Sequence, residues 1–390
     1  MIWQIIFWIC IVLIIHSYLL YPAILYLLAR NKKNNELLFT PEENLPFVSI
    51  ILSVYNEGQI IRDKLRSVFT TTYPDDKFEM LIGSDGSTDQ TNNILRLFSV
   101  EEPTLRFFQY KERTGKGNVI NRLREEAKGE ILIFTDADIM FSQDLIYKLI
   151  RHFKNKSIGV VATNIANKNL DTKGISVQEW SFMSRETRIK YREGKIWGTM
   201  MGAYGACYAI RNELFKPVPD GYTVDDFFIT MKVLEQKHKC ILDLDAIHYE
   251  KISNKLSEEF RRRIRISAGN FQNLKEFYKL LWPPFTGLSF SFMSHKVIRW
   301  IVPFLLILLI ISNIFLFPVN LLYKITLYIQ GILIIIPLID FLLRKLGLQI
   351  VFLRFITYFY SMNLALLAGF FKFIKGAETN VWQPTQRTKK

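Results

Sequence analysis

The chain has 390 residues, of which 49% are hydrophobic and 22% charged, and its net charge is +14. This composition excludes an intrinsically disordered chain, and the three widely spaced cysteines (Cys10, Cys207, Cys240) exclude a disulfide scaffold. They fit a reducing compartment for the soluble part. A mean hydropathy of +0.13 beside so much positive charge indicates that apolar and charged stretches are separated along the chain.

The first 29 residues contain no charged side chain and are long enough to cross a bilayer as a helix. They begin without the basic residues of a secretory signal peptide and are followed by Arg30, Lys32 and Lys33. We therefore predict an uncleaved N-terminal transmembrane anchor at 1–29, with its basic flank in the cytoplasm. The polar stretch 30–46, which contains Pro41 and Pro46, is predicted to be a linker.

Residues 47–254 alternate short β-rich runs with amphipathic helical patterns, and they contain no long apolar run. This alternation predicts a soluble α/β domain with a mixed, mainly parallel sheet flanked by helices. The predicted strands lie at 47–55, 79–84, 105–110, 130–138 and 158–166, and predicted helices lie at 58–71, 91–100 and 225–236.

The C-terminal third predicts a membrane region. Residues 255–295 interleave Arg, Lys, Trp and Phe at helical spacing, which favours basic amphipathic helices in the membrane interface. Residues 296–372 contain apolar runs at 297–319, 325–343 and 350–371, predicting two or three spans. The tail at 373–390 is basic, which favours the cytoplasm, whereas one N-terminal span and three C-terminal spans would leave it outside. One of the runs is therefore expected not to cross fully or not to be a span.

Acidic residues follow two of the predicted strands. Asp85 ends the second strand, and Asp136 and Asp138 follow the fourth. Ligands of open α/β sheets bind beyond the carboxyl ends of the strands, and an i, i+2 pair shares one face of an extended segment. Two carboxylates with phosphate oxygens suit Mg²⁺ or Mn²⁺. The alternative is that these acids only cap the following helices. An Asp-x-Asp directly after a buried strand less often has this purely structural role.

Three further segments carry weaker signals. Gly115-Lys116-Gly117 lacks the spacing of a Walker loop, yet it offers backbone N–H groups and a cation to an anion. Asp225 and Asp226 open a predicted helix, where helix capping explains them equally well. The small residues of 202–211 allow either close approach of a ligand or tight packing.

In this order, the segments resemble the membrane-bound family 2 glycosyltransferases with the GT-A fold, such as hyaluronan, chitin, cellulose and poly-N-acetylglucosamine synthases. The resemblance implies a donor site, a metal and diphosphate site, an acceptor site and a general base. It assigns Tyr55, Glu57, Asp85, Lys116, Asp136, Asp138 and Arg265 to the nucleotide-sugar donor, Asp136 and Asp138 to Mg²⁺ or Mn²⁺, Gly205, Ala206, Cys207, Asp225 and Trp382 to the acceptor, and Asp226 to the general base.

The chain departs from the family pattern at two places. The family's Glu-Asp pair is Asp225-Asp226 here, which keeps the base. The second departure bears on processivity. The Gln-x-x-Arg-Trp motif of processive synthases falls at 262–266, where Arg262 replaces Gln, Arg265 keeps the Arg and Ile266 replaces Trp. The segment 382–387, beginning at Trp382, resembles the gating element of some synthases. A basic extension at the lipid headgroups explains that tail equally well.

The resemblance implies an inverting, metal-dependent hexosyltransferase in the cell membrane, with its catalytic domain in the cytoplasm. It would move a sugar, in our reading from a UDP-sugar, to a lipid-linked or growing polysaccharide acceptor. The alternatives are a processive synthase that translocates its polymer and a non-enzymatic nucleotide-binding subunit of a transport complex. Positive charge gathers beside the membrane segments, which favours lipids over nucleic acid as a partner. The sequence names no protein partner.

Overall fold

The computed structural model describes residues 1–166, 175–250 and 255–376. The strands in these ranges are β1 (Val48–Val54), β2 (Phe78–Asp85), β3 (Leu105–Tyr110), β4 (Ile131–Thr135), β5 (Met140–Phe141), β6 (Ile158–Ala166), β7 (Cys207–Arg211) and β8 (Lys239–Tyr249). They form one sheet in the order β3-β2-β1-β4-β7-β6-β8-β5. Strands β1 to β4 run parallel, whereas β7 is antiparallel to both β4 and β6. The predicted mixed sheet is confirmed.

The helices in the described ranges are α1 (Ile2–Ile15), α2 (Tyr21–Ala29), α3 (Ile61–Phe69), α4 (Thr91–Glu101), α5 (Lys116–Glu126), α6 (Leu145–Ile150), α7 (Ser176–Trp197), α8 (Asp225–Glu235), α9 (Leu256–Phe277), α10 (Gly287–Ser291), α11 (Ile298–Leu316), α12 (Leu321–Lys345) and α13 (Val351–Ile374). Short π-helical segments, His16–Leu20 and Phe292–Val297, join α1 to α2 and α10 to α11. Helices α3 to α8 flank the sheet.

The central strand β1 is buried on both faces, as a continuous apolar run in a parallel sheet requires. Ile50 and Leu52 pack into the core on one face, and Ile51 packs into the core on the other. The chain leaves β1 toward β2 on one side, and β4 lies on the other. Such a switch point opens a crevice at the carboxyl ends of β1 and β4, where ligands of open sheets bind.

Four helical stretches of the described chain are long and apolar enough to cross a membrane: Ile2–Ala29, Gly287–Leu316, Leu321–Lys345 and Val351–Ile374. The second begins at Gly287, so the sequence-based boundary at 295/296 falls inside a continuous helix. The first and second pack together through the stacked rings of Trp3 and Phe315, whose centroids are 4.4 Å apart.

Helix α9 lies between the soluble domain and the apolar helices. Its Ser267 hydroxyl donates to the Leu366 carbonyl of α13 at 2.8 Å. Gly369 of α13 permits this approach, because a Cβ there would lie 2.4 Å from the Ser267 Cβ. The basic segment of α9 turns toward the soluble domain: Arg263 pairs with Glu259 at 2.9 Å and with Glu179 of α7 at 3.7 Å.

Candidate active site

A cavity of about 2240 Å³ opens at the carboxyl ends of β1 and β4 and extends to the apolar helices. Its walls come from distant parts of the chain: the loops after β1 and β4, the starts of α5 and α8, one face of α7 and of α9, and residues of α11 and α13. A large, well-formed pocket with a few convergent polar groups is the usual place of a binding or catalytic site.

Asp136 and Asp138 lie at the floor of this cavity, in the turn that follows β4. The Asp136 backbone N–H donates to the Ala206 carbonyl at 3.1 Å, which fixes the turn against the strand segment before β7. Beneath the turn, the buried Lys64 ammonium donates to the Thr135 hydroxyl at 2.9 Å and to the Ile139 carbonyl at 2.6 Å. Lys64 therefore ties the two ends of the acidic turn together.

Lys116 stands at the first turn of α5 and bridges two acidic segments. Its Nζ lies 2.8 Å from Asp136 Oδ1 and 3.6 Å from Asp225 Oδ2. Burial opposes the charge of this ammonium, but the two carboxylates outweigh burial and raise the pKa of Lys116. The structure thus brings together a cation and acids that lie 20 and more residues apart in the sequence.

Asp85 ends β2, and the loop before α5 holds its carboxylate. Its carboxylate accepts the backbone N–H of Thr114 at 2.7 Å and that of Gly115 at 2.9 Å, and only 4% of the residue is exposed. Among the described residues that line the cavity, Asp85 does not occur. The structure does not bring Asp85 to the described wall, and each of its carboxylate oxygens accepts a backbone N–H of the Gly-Lys loop. It anchors the loop that carries Lys116.

Asp225 and Asp226 lie in the first turn of α8 and line the cavity opposite Asp136. One Asp226 oxygen accepts the Phe227 N–H at 2.8 Å. Burial and the neighbouring Asp225 carboxylate raise the pKa of Asp226 above its ordinary value. A carboxylate with a raised pKa is a stronger base, which suits proton abstraction from a hydroxyl.

Gly205 packs directly on this carboxylate, since an added Cβ would lie 3.0 Å from Asp226 Oδ2. Gly205 and Ala206 both line the cavity. Cys207 does not line it in the described structure: the residue starts β7, pairs with Thr135 and is fully buried. Burial raises the pKa of its thiol to about 12. Because side chains alternate across a strand, Cys207 belongs to the core rather than to the acceptor wall.

Arg265 and Ile266 of α9 line the cavity, and the Arg265 guanidinium donates to the Thr223 carbonyl at 3.4 Å. Burial and the neighbouring Arg262 lower the pKa of Arg265, while the nearby Asp225 opposes that shift. The predicted donor-site arginine thus lies beside the acids. The position that carries Trp in processive synthases presents Ile266 to the cavity.

Tyr55 and Glu57, which follow β1, also line the cavity. The Arg113 guanidinium lies 3.6 Å above the Tyr55 ring, forming a cation–π pair at the rim. Asn56 adopts a left-handed conformation with φ of 53°, and its side-chain oxygen accepts the Thr88 N–H at 2.8 Å. Trp382, predicted to contact the acceptor, lies outside the described residues.

Sequence reasoning missed a set of charged residues on α7. Glu186, Lys190 and Glu193 lie at i, i+4 and i+7, which places them on one helix face, and all are buried. The two glutamates pair with cations at the start of the second apolar stretch, where an ionisable residue is by default a candidate for a functional role. The sequence did contain a signal for this set. Charges recur at helical spacing on α7, and three cations (His295, Lys296, Arg299) lie at the start of an apolar run.

His295 connects the two glutamates. Its ring nitrogens lie 2.8 Å from Glu193 Oε1 and 2.8 Å from Glu186 Oε2, so the ring donates to both as a cation. Tyr21 of α2 donates to the same Glu193 oxygen at 2.7 Å. Glu186 also pairs with Lys296 and Arg299. Burial opposes ionisation of Glu186, but these cations lower its pKa well below the ordinary value.

The donor chemistry of the floor fits a hard divalent cation. Asp136 and Asp138 offer carboxylate oxygens to the cavity, and the Asp136 side chain is 39% exposed. In the described part of the chain, no cluster of three or more His, Cys, Asp or Glu side chains could hold a metal by itself. Mg²⁺ and its analogues commonly bind through one or two carboxylates, with substrate phosphates completing the shell.

Comparison with known proteins agrees with this arrangement. Residues 49–218 match the family model of Glycosyl transferase family 2. The chain is 34% identical over 121 residues to Glycosyltransferase AglE of Haloferax volcanii, covering 31% of this chain and 40% of that protein. It is 31% identical over 157 residues to the Poly-beta-1,6-N-acetyl-D-glucosamine synthase of Staphylococcus epidermidis, covering 39% and 37%. The chain thus spans about two fifths of the length of these relatives.

A solved structure resembles nearly the whole chain. The mannosyltransferase PcManGT of Pyrobaculum calidifontis, determined in complex with GDP-Man and Mn²⁺, superposes with a TM-score of 0.72. The match covers 96% of this chain and 100% of that one, at 21% sequence identity. The likeness shows a shared fold, including the apolar helices, and it supports the predicted GT-A architecture.

Proposed function

Because the chain contains a family 2 glycosyltransferase domain on a GT-A-like fold, we propose that it transfers a sugar from a nucleotide sugar to an acceptor at the membrane surface. One observation supports this most strongly: Lys116 joins Asp136, at the end of β4, to Asp225, at the start of α8, in one cavity. A donor site and a base beside an acceptor site are what such a transfer needs.

On the donor side, Asp136 and Asp138 would hold Mg²⁺ or Mn²⁺, which when bound neutralises charge on the departing diphosphate. Lys116 and Arg265 supply further positive charge at the cavity wall for the same oxygens. Tyr55 and Glu57 at the end of β1 are proposed to contact the nucleoside. Asp85 acts through the loop that it anchors.

On the acceptor side, Asp226 accepts the proton of an acceptor hydroxyl as that oxygen attacks the anomeric carbon. Its raised pKa and its contact with Gly205, where the acceptor would approach, support this assignment. One base and a direct displacement invert the anomeric centre, so an α-linked donor gives a β-linked product. Gly205 and Ala206 have small or no side chains, so a hydroxyl can reach the Asp226 carboxylate at this part of the wall.

The membrane helices support a location in the cell membrane with the catalytic domain in the cytoplasm. Helix α13 lines the cavity from Phe355 to Lys372 and packs along α9, so it lies against the catalytic domain over most of its length. We propose that α13 lies in the cytoplasmic interface and that the other three stretches cross, which returns the basic tail to the cytoplasm. A C-terminal fluorescent reporter that is inactive outside the cytoplasm tests this topology; loss of its signal contradicts it.

A lipid-linked acceptor has more support than a growing polymer, because Ile266 stands where processive synthases carry Trp. Product size distinguishes the two after incubation with radiolabelled donor: one added sugar supports a single transfer, and a long polymer supports the synthase.

The direct test offers purified full-length protein a panel of UDP- and GDP-sugars with Mg²⁺ or Mn²⁺ and measures nucleotide release. We expect one donor to be turned over, and Asp226→Asn to abolish transfer while donor binding persists. A variant that transfers sugar at near wild-type rate refutes the base assignment. Nucleotide binding without any turnover supports the non-enzymatic subunit instead.

A further inference from the structure

Lys190 is a buried cation on the cavity wall that the proposed mechanism does not use. It lies on α7, is 5% exposed and lines the cavity. Its ammonium lies 3.5 Å from the centroid of the Tyr204 ring. Within the described ranges, it makes no hydrogen bond or ion pair, unlike Lys116 and Arg299, which both pair with carboxylates. An ammonium on a cavity wall with no carboxylate in direct contact can still accept an anionic group of a ligand as its partner.

The surroundings of Lys190 carry an excess of positive charge. In the described structure, the α7 face and the start of the second apolar stretch combine four cations (Lys190, His295, Lys296, Arg299) with two carboxylates (Glu186, Glu193). The Asp226 carboxylate also acts on Lys190, so one positive charge remains unmatched around this lysine. Burial and the adjacent Lys296 lower the pKa of Lys190 to about 7, whereas Glu186 and Asp226 oppose that shift. An anion that arrives here favours the charged form of the lysine.

The position of this charge is next to the proposed base. Tyr204, which carries the Lys190 ammonium on its ring, directly precedes Gly205, which packs on the Asp226 carboxylate. Lys190 and Asp226 also interact electrostatically. An anionic group held at Lys190 would thus place a hydroxyl of the same molecule beside Asp226.

The far side of the same cavity is apolar and leads to the membrane helices. Tyr18 and Pro22, near the end of the first apolar stretch, line it together with Phe355, Phe359 and Met362 of α13. The Tyr18 and Phe359 rings meet with centroids 5.8 Å apart. The Arg299 guanidinium lies 5.3 Å from the Tyr18 ring, so the apolar wall begins where the cationic group ends.

We infer that Lys190, with Lys296 and Arg299, forms a phosphate subsite for an amphiphilic acceptor, whose apolar chain passes Tyr18 and Phe359 toward the bilayer. The inference rests on the proposed function and narrows its acceptor to a lipid-linked sugar phosphate, whose sugar carries the reacting hydroxyl. The phosphate is held at the cationic wall, the chain leaves between the first apolar stretch and α13, and the acceptor hydroxyl faces Asp226.

The test measures binding to the detergent-solubilised full chain by isothermal titration with three probes: farnesyl phosphate, farnesol and inorganic phosphate. We expect farnesyl phosphate to bind at least about tenfold more tightly than either fragment, because one charge-assisted hydrogen bond is worth about that factor. Lys190→Met should remove the preference for farnesyl phosphate over farnesol, and Lys190→Arg should keep it. The matched control is Lys195→Met on the same helix, outside the lining of the cavity, and it should bind like wild type.

Each other outcome overturns the inference. Equal affinity for farnesol and farnesyl phosphate refutes the phosphate subsite, as does an unchanged preference in Lys190→Met. Equal affinity for inorganic phosphate and farnesyl phosphate shows a free-anion site and refutes the lipid. Nucleotide release is measured separately on the same samples. If no nucleotide sugar is turned over while the probe preferences hold, the proposed function fails and the anion subsite stands.

Discussion

The contact between Gly205 and Asp226 gives a sharp test of the proposed base. In Gly205→Ala the new Cβ would lie 3.0 Å from Asp226 Oδ2 and 3.4 Å from Asp226 Cγ. Ordinary van der Waals contact begins near 3.4 Å, so Asp226 Oδ2 must move away from the new methyl by about 0.4 Å, or the methyl must fill the space beside the carboxylate. Retreat is resisted because the other carboxylate oxygen accepts the Phe227 N–H at 2.8 Å.

A misplacement of about 1 Å can cost roughly 100-fold in rate, so a shift of this size should lower kcat by about tenfold, or ~1.4 kcal/mol in the activation barrier. The KM for the nucleotide sugar should stay unchanged, since Lys116 and Asp136 are untouched. The assay measures nucleotide release in the presence of acceptor, with the melting temperature as a check on folding.

Gly331→Ala is the matched control, because no atom lies within 4 Å of the Cβ it adds to α12. It should leave both kcat and the melting temperature close to wild type. If Gly205→Ala folds normally and turns over at the wild-type rate, Asp226 does not approach the reacting hydroxyl at this wall. A rise in donor KM with unchanged kcat would move Gly205 to the donor side.

Three further outcomes are expected. Only ionised Asp226 accepts a proton and its pKa is raised, so kcat/KM should be at its maximum above that pKa and fall as the pH drops through it. Asp225→Asn removes one cause of the raised pKa, so the acid limb of the pH profile should move to lower pH. An acid limb that does not move contradicts the coupling between Asp225 and Asp226. Asp85→Asn places an amide NH₂ against the backbone N–H groups of Thr114 and Gly115, so it should lower the free energy of unfolding by about 2–3 kcal/mol. The melting temperature and the affinity for the nucleotide sugar should then fall together. A loss of affinity at an unchanged melting temperature would instead indicate that Asp85 contacts the nucleotide sugar directly. Lys64→Met removes the tether under the acidic turn and should raise the Mn²⁺ concentration for half-maximal turnover by about tenfold in a titration, whereas Lys148→Met on α6 should leave it unchanged.

Local patterns in the sequence predicted the elements that carry the acids. The run at 130–138 predicts a buried strand ending in Asp-x-Asp, and β4 with its acidic turn lies there. Asp225 and Asp226 occupy the first turn of α8, as the helical pattern after them indicates. These features depend on neighbours in the chain, through strand burial, helix periodicity and the edge of a parallel sheet.

Side-chain directions and long-range pairs were beyond reach of the sequence. Asp85 follows a strand just as Asp136 does, but a loop almost 30 residues later takes up its oxygens. Cys207 falls on the core face because β7 pairs with β4 in one register, which the small residues of 202–211 do not reveal. The bond between His295 and Glu193 joins positions 102 apart, and no spacing rule connects them.

Glu193 has a consequence for how the molecule moves. One carboxylate of the soluble domain is shared by Tyr21, from the first apolar stretch, and His295, from the second. Rotation of the domain against the apolar helices would leave the buried Glu193 carboxylate without its partners. Rocking of the domain relative to these helices is therefore suppressed. Heating should therefore melt the domain and its anchor in a single transition, and substrates are not expected to enter by a hinge motion between the two.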